Sequence, residues 1–369
     1  MRPRVRVLVV DDSALMRKLI PQLLQGDASI EVVGTAMDGL LGLKKIAELR
    51  PDVVTLDLEM PRMDGLDTLR EIVKHHEIPV IVVSSHTSKG AYSALNALSQ
   101  GAFDFVAKPT DSPKGGLEQI AKELAVKIKV AAISGPPKKT FHAPSHATPA
   151  PKPQPSGNRP KRIIAIGVST GGPNALDYIC SQLQADFAGC LLIVQHMPEG
   201  FTGMFARRLN DCSPIVVSEA LSGDLLVPGR AFVCPGNRHM KIRRGPQGDI
   251  IALVDQAPVN GHRPSVDVLF RSVAQELGKE SAAVIMTGMG DDGAAAMKAV
   301  QAAGGITIAQ SLDSCVVDSM PRAAIEAGYA SRVVSLENLP SILQVVCQED
   351  ASGLRAPEKE LETTRGPRH

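Results

Sequence analysis

Short apolar runs, separated by stretches with apolar residues every three or four positions, set the rhythm of the first third of the chain. Residues 5–10, 30–35, 53–58, 80–84 and 103–107 are brief, apolar or β-branched, and bounded by turn formers, so they predict strands. Residues 14–24, 40–49, 66–74 and 91–98 carry the helical period between them. Five strands alternating with helices predict a doubly wound parallel sheet over residues 4–133.

The pattern then breaks. Residues 134–160 are dominated by Pro, Ser and Lys with no apolar period, which predicts a semi-extended linker. From Lys161 a second α/β pattern begins, with strands predicted at 163–167, 191–195, 215–219, 231–234, 282–286 and 306–309. Several of these run into Gly-rich turns and then helical segments. The second domain is expected over 161–347, and the charged tail 348–369, which lacks core residues, is expected to be disordered. The fold class is therefore α/β, with two doubly wound parallel-sheet domains.

Composition narrows the function. A length of 369 residues suits two domains. The net charge of +1 provides no global field for nucleic acid, and the lack of Trp argues against base-stacking platforms. The six cysteines form no C-x-x-C pair, so reduced thiols in a cytoplasmic protein are expected rather than a metal or disulfide framework. The apolar run after Arg2, Arg4 and Arg6 is too short for a signal peptide, and no stretch is long enough to span a bilayer, so no membrane insertion is expected.

Two constellations carry chemistry. In the first, Asp11 and Asp12 follow the first predicted strand, Asp57 lies at the end of the third, Ser84 ends the fourth, and Lys108 follows the fifth. Parallel strands place their C-terminal ends on one rim, so these side chains are expected to converge. Clustered carboxylates call for a hard divalent cation such as Mg²⁺, and one carboxylate could accept a phosphoryl group. An isolated Asp at a strand end is usually a solvated loop residue. Five such positions together are not explained that way.

The segments VVDDSALMR, LDLEMPRMDG, VSS and AKP resemble the motifs of two-component receiver domains. The resemblance implies a flavodoxin-like receiver in which Asp57 takes phosphate from a histidine kinase. It implies Mg²⁺ on Asp11, Asp12, Asp57 and the backbone carbonyl of Met60, with Glu59 lining the site. Ser84 and Lys108 would support the phosphoryl group.

In the second constellation, an apolar strand runs into Gly167-Val168-Ser169-Thr170-Gly171, a G-x-S-x-G that can present a hydroxyl on a strand-to-helix turn. A dinucleotide loop is disfavoured: Ser169 stands where G-x-G needs glycine, and the next strand ends in Gln195-His196 rather than an acidic residue. His196 falls on the same rim as Ser169 and is a candidate general base. Asp291 and Asp292, bracketed by glycines after a later strand, supply a candidate to orient the imidazole. Spacing does not choose between them, and helix N-capping is the alternative use of either. The order Ser, His, Asp is not that of the α/β-hydrolases.

The segments GVSTGGP, VQHMPEGFTGMFARRL, APVNGHRPSVDVLF and TGMGDDGA are similar to the chemotaxis protein-glutamate methylesterase family, CheB. The resemblance spans nearly the whole chain. It implies a Rossmann-like three-layer α/β/α esterase domain with a Ser169, His196, Asp292 triad, Asp292 being the residue directly before Gly293. It places Thr170 and the backbone around Met289 near the oxyanion, and implies no cofactor in this domain. The implied substrates are glutamate methyl esters, and glutamine amides, on methyl-accepting chemotaxis receptors, with a CheA-type histidine kinase as phosphodonor. Cys234 stands where the family commonly has Ala, and Ser311-Leu312 where an acidic pair is usual.

Two rival functions follow from other classes. A DNA-binding output would need a basic recognition helix in a small helical domain, whereas residues 161–347 show strands and Gly-rich loops. A receiver-controlled, non-catalytic interaction module would not need the Ser, His and Asp set.

Overall fold

The computed structural model describes residues 4–85, 87–108, 115–136 and 159–348. The first domain runs β1 (Val5–Val10), α1 (Ala14–Leu24), β2 (Ile30–Ala36), α2 (Gly39–Leu49), β3 (Val53–Leu56), α3 (Gly65–His75), β4 (Val80–Ser84), α4 (Ser88–Ser99), β5 (Asp104–Ala107) and α5 (Gly115–Ser134). The strands form one parallel sheet in the order β2-β1-β3-β4-β5. Every residue of β3, β4 and β5 is buried, which is why these strands read as continuous apolar runs rather than alternations. The helices start where the chain supplies a cap. Ser13, Asp38, Asp64 and Thr87 each accept the N–H three residues on, satisfying a donor the helix leaves open.

The second domain runs β6 (Ile163–Val168), α6 (Gly172–Gln182), β7 (Cys190–Gln195), α7 (Thr202–Cys212), β8 (Val216–Glu219), β9 (Arg230–Val233), β10 (His239–Gly245), β11 (Gly248–Val254), α8 (Val266–Leu277), β12 (Ser281–Ile285), α9 (Ala294–Ala302), β13 (Ile306–Gln310), α10 (Ser319–Glu326), β14 (Arg332–Val334) and α11 (Leu339–Gln348). Seven parallel strands take the order β14-β13-β12-β6-β7-β9-β8. From β6 the chain steps to β7 on one side, and later fills β12, β13 and β14 on the other. The order therefore reverses at β6, and ligands bind at such a switch point, beyond the carboxyl ends of the strands.

Three strands escape the sequence pattern. β10 and β11 pair as an antiparallel hairpin apart from the main sheet. Lys241, Arg243 and Arg244 break its apolar run, yet Met240, Ile242 and Ile251 are buried in the cluster that also contains Leu269 and Val273 of α8. β14 has three residues, none buried, and is defined by its pairing with β13 alone. The segments read as linker and tail fall almost wholly outside the described residues. α5 reaches one position into the linker, and α11 ends at Gln348.

The two domains share a packed boundary. Leu95, Leu98 and Phe105 of the first belong to one buried cluster with Leu176, Phe201 and Phe205 of the second. The rings of Phe105 and Phe201 stack with centroids 4.9 Å apart. Both are almost fully buried, and each such side chain contributes about 1.5–3 kcal/mol in area terms. Asn174 Nδ2 donates to the carbonyl of Leu98 at 2.9 Å, and Arg208, paired with Asp177, donates to that of Leu95.

Candidate active site and phosphoacceptor site

In the first domain, the ends of β1, β3, β4 and β5 bring the expected side chains to one rim. Lys108 Nζ donates to Asp57 Oδ2 at 2.7 Å and stands 3.2 Å from Asp11 Oδ2. Burial pushes the carboxyls of Asp11 and Asp57 up, against the pull of Lys108. Asp11, Asp12 and Asp57 each offer an oxygen, all within 4.8 Å of one another. Asp11 Oδ2 is buried, with the Lys108 ammonium as its charged neighbour. Three carboxylates at this spacing, two of them buried, fit a hard divalent cation. Ser84 is buried with its hydroxyl donated to the carbonyl of Gly90 at 2.8 Å. Met60 is buried in the loop after β3, and the Glu59 N–H caps Asp57 Oδ1 at 3.2 Å.

In the second domain, Ser169 follows β6 and His196 follows β7. Val168 and Gln195 are register partners, so the next residue of each strand meets at the rim. The turn after Ser169 closes through Gly171, whose φ of 81° favours glycine and which caps α6. The Ser169 N–H donates to the carbonyl of Thr287 at 3.0 Å. Gln195, buried, ties the two ends together: its Nε2 donates to the carbonyls of Ser169 at 3.0 Å and of His196 at 3.1 Å.

The loop after β12 sets its two aspartates in different surroundings. Asp291 is exposed, whereas Asp292 is buried with its Oδ2 2.8 Å from His196 Nε2. Asp292 also accepts from the N–H of Val266 at 2.7 Å, the Ser265 hydroxyl at 2.8 Å and the N–H of Asp267 at 3.2 Å. It therefore caps a helix as well, but the helix is α8 rather than the α9 that follows it. Burial alone would raise its pKa. His196 first, then Val266 and Ser265, outweigh burial and hold the carboxyl down at about 2. His196 Nδ1 is buried and has no hydrogen-bond partner among the described residues.

Thr170 is buried beside Ser169. Its hydroxyl donates to Asp104 Oδ2 of the first domain at 2.6 Å. Lys127 holds Asp104 from the other side, 3.2 Å from Oδ1. Met289 and Val316 are each partly buried against the first domain's core. Residues that sequence reasoning assigned no role include Gln195, Asp104, Thr287, Asn260, His262 and Asp267. The Asn260-Gly261 pair is a turn signal, but nothing in one dimension puts it beside His196.

Comparison with known proteins agrees with this architecture. Residues 164–343 match the family model of the CheB methylesterase, and residues 7–118 that of the response regulator receiver domain. A protein-glutamate methylesterase/protein-glutamine glutaminase of Koribacter versatilis is 60% identical over 347 residues, covering 92% of this chain and 96% of that protein. A Bacillus subtilis protein of the same description is 43% identical, covering 91% of this chain and 96% of its own length. The solved CheB methylesterase catalytic domain of Thermotoga maritima is 37% identical, with a TM-score of 0.49, covering 50% of this chain and 98% of that one. Matched by full-length relatives across nine-tenths of its residues, the chain belongs to the CheB methylesterase family and carries a response regulator receiver domain at its N-terminal end.

Proposed function

We propose that this chain hydrolyses glutamate methyl esters, and deamidates glutamines, on methyl-accepting chemotaxis receptors, with Ser169 as nucleophile, His196 as general base and Asp292 as its orienting carboxylate. The observation that carries this is the His196–Asp292 pair at 2.8 Å on the rim that also bears Ser169. Asp292 occupies Nε2, so Nδ1 is the ring nitrogen left to take the Ser169 proton. Ser169 Oγ then attacks the γ-carbonyl carbon, and N–H groups at the head of α6 face the oxyanion. His196 returns the proton to the leaving methoxide, releasing methanol. Water, deprotonated by the same imidazole, attacks the acyl-enzyme and frees the glutamate side chain. A glutamine substrate follows the same course and releases ammonia.

Control falls to the receiver. A CheA-type histidine kinase would phosphorylate Asp57, with Ser84 and Lys108 contacting the phosphoryl oxygens. Asp11, Asp12, Asp57 and the Met60 carbonyl would hold Mg²⁺, which neutralises charge on the incoming group. The receiver (4–133) would cover the Ser169 rim of the catalytic domain (161–347), and charge at Asp57 would loosen that cover. The stacked Phe105 and Phe201 and the Thr170–Asp104 bond support such a cover. Residues 134–160 would act as the tether between the domains, with 348–369 as a tail. Among the described residues no helix is long and apolar enough to cross a membrane.

The test is methanol release from methylated receptor membranes by wild type, Ser169→Ala and Asp57→Asn, with and without acetyl phosphate. Release should need Ser169, and its stimulation should need Asp57. Full release by Ser169→Ala would sink the esterase assignment, and full stimulation of Asp57→Asn would sink the gate.

A further inference from the structure

A tight turn that the mechanism above does not use sits against the base and its carboxylate. The N–H of Val259 donates to the carbonyl of His262 at 3.0 Å, and the reverse bond is 2.9 Å. Between them Asn260 and Gly261 both lie in the left-handed region, at φ 52° and 78°. This is the two-residue turn that an Asn-Gly pair favours, because both central positions need positive φ. The turn delivers two side chains to the same place.

The first is Asn260. Its Nδ2 lies 3.2 Å from Asp292 Oδ1 and 3.2 Å from Asp267 Oδ2. Asp267 is buried and in turn accepts the N–H groups of Gly293 and Ala296, each at 3.1 Å. One amide thus links the turn, the carboxylate that holds His196 and the helix start that follows it. The second side chain is His262. Its ring stacks on that of His196 with centroids 3.8 Å apart and planes 2° from parallel.

We propose that His262, braced by Asn260, is a positioning residue that fixes the plane of the His196 imidazole. The inference rests on the assignment of Ser169, His196 and Asp292 given above. An imidazole hydrogen-bonded at one nitrogen can still tilt about that bond, and a tilt carries the other nitrogen away from the serine. A parallel ring at van der Waals distance blocks the tilt on one face. It also offers a π-face to the imidazolium that forms when Ser169 gives up its proton. That requires a neutral neighbour. Burial first, and then the nearby His196, hold His262 down at about 4, so it stays uncharged at neutral pH. In this role His262 acts through His196, so a ring is needed at this position and a ring nitrogen is not.

The test compares full-length His262→Ala, His262→Phe and His262→Leu with wild type in the methanol-release assay under acetyl phosphate, reading kcat and KM separately. Ala and Leu should each lose on the order of 10²-fold in kcat with KM little changed, the cost of a misaligned catalytic group. Phe, which restores a flat ring without nitrogens, should recover most of that loss. The Leu variant fills the volume without a plane, so it keeps the test decisive if the Ala variant unfolds. Wild-type kcat in Ala or Leu overturns the proposal, and so does a Phe variant as slow as Ala. Ser169→Ala runs in parallel. If it stays active, the underlying triad assignment is at fault. If it is dead while His262→Leu is fast, only the positioning role falls.

Discussion

The hydroxyl of Thr170, next in the chain to Ser169, donates to Asp104 Oδ2 of the receiver at 2.6 Å. The receiver thus reaches to within one residue of the proposed nucleophile through a charge-assisted bond. Lys127 backs it, held well above the usual lysine range because the carboxylates of Asp104 and Glu123 outweigh its burial.

Asp104→Ala should weaken the cover without touching the catalytic side chains. A hydrogen bond to a charged group contributes about 1.5–3 kcal/mol, so methanol release without a phosphodonor should rise on the order of tenfold. Lys127 keeps Glu123 as partner, 2.9 Å away. Unchanged basal release would show that this bond is no part of the gate.

Asp292→Asn preserves shape but removes the charge that steadies the imidazolium and selects its tautomer. The expected loss in kcat is on the order of 10⁴-fold, the cost of the same change in a serine protease triad. Asp291→Asn, at an exposed position, should stay near wild type. Measuring both under acetyl phosphate checks the choice between the two aspartates directly.

Gly288→Ala tests how closely the β12 loop packs on the nucleophile. A Cβ there would lie 2.3 Å from Met320 Sδ, 2.8 Å from Ser169 Cβ and 3.0 Å from Ser169 N. Overpacking of this kind costs about 1–3 kcal/mol of stability. The displaced Ser169 should also lower kcat, so urea unfolding and methanol release should both report the change. A variant normal in both would mean that the loop has room to yield.

Stability should fall on mild acidification, and His262 should account for part of it. Its pKa drops from 6.5 to about 4 in the folded protein, with His196, Asp292 and Glu123 as its charged neighbours. Between those values the unfolded chain binds the proton more readily than the folded one. The stabilisation is therefore complete above pH 6.5 and is lost as pH falls towards 4. Each unit of depression corresponds to about 1.4 kcal/mol. Urea midpoints taken at about pH 7.5 and about pH 5 should converge more in His262→Phe than in wild type, because Phe does not titrate. An equal acid loss in both would assign the effect elsewhere.

Much of this protein was legible in one dimension, for a definite reason. Parallel strands covered on both faces are uninterrupted apolar runs, and their C-terminal ends carry the ligands, so Asp11, Asp57, Ser84, Lys108, Ser169 and His196 could be placed on rims before any coordinates. The hairpin β10–β11 was not legible, because Lys241, Arg243 and Arg244 share its strands with Met240 and Ile242 and only packing on α8 shows which face is inside.

What the sequence determined alone was the two-domain α/β order, the family motifs and the identity of the candidate side chains, all set by local periodicity and strand-end position. Tertiary structure decided the rest. It buried Asp292 against His196 and left Asp291 exposed, a difference between two neighbours that spacing treats alike. It placed Asp104 against Thr170 and His262 against His196, contacts between residues 66 positions apart in both cases. Such pairings depend on how finished domains and loops come to rest on one another, which no local pattern of side chains encodes.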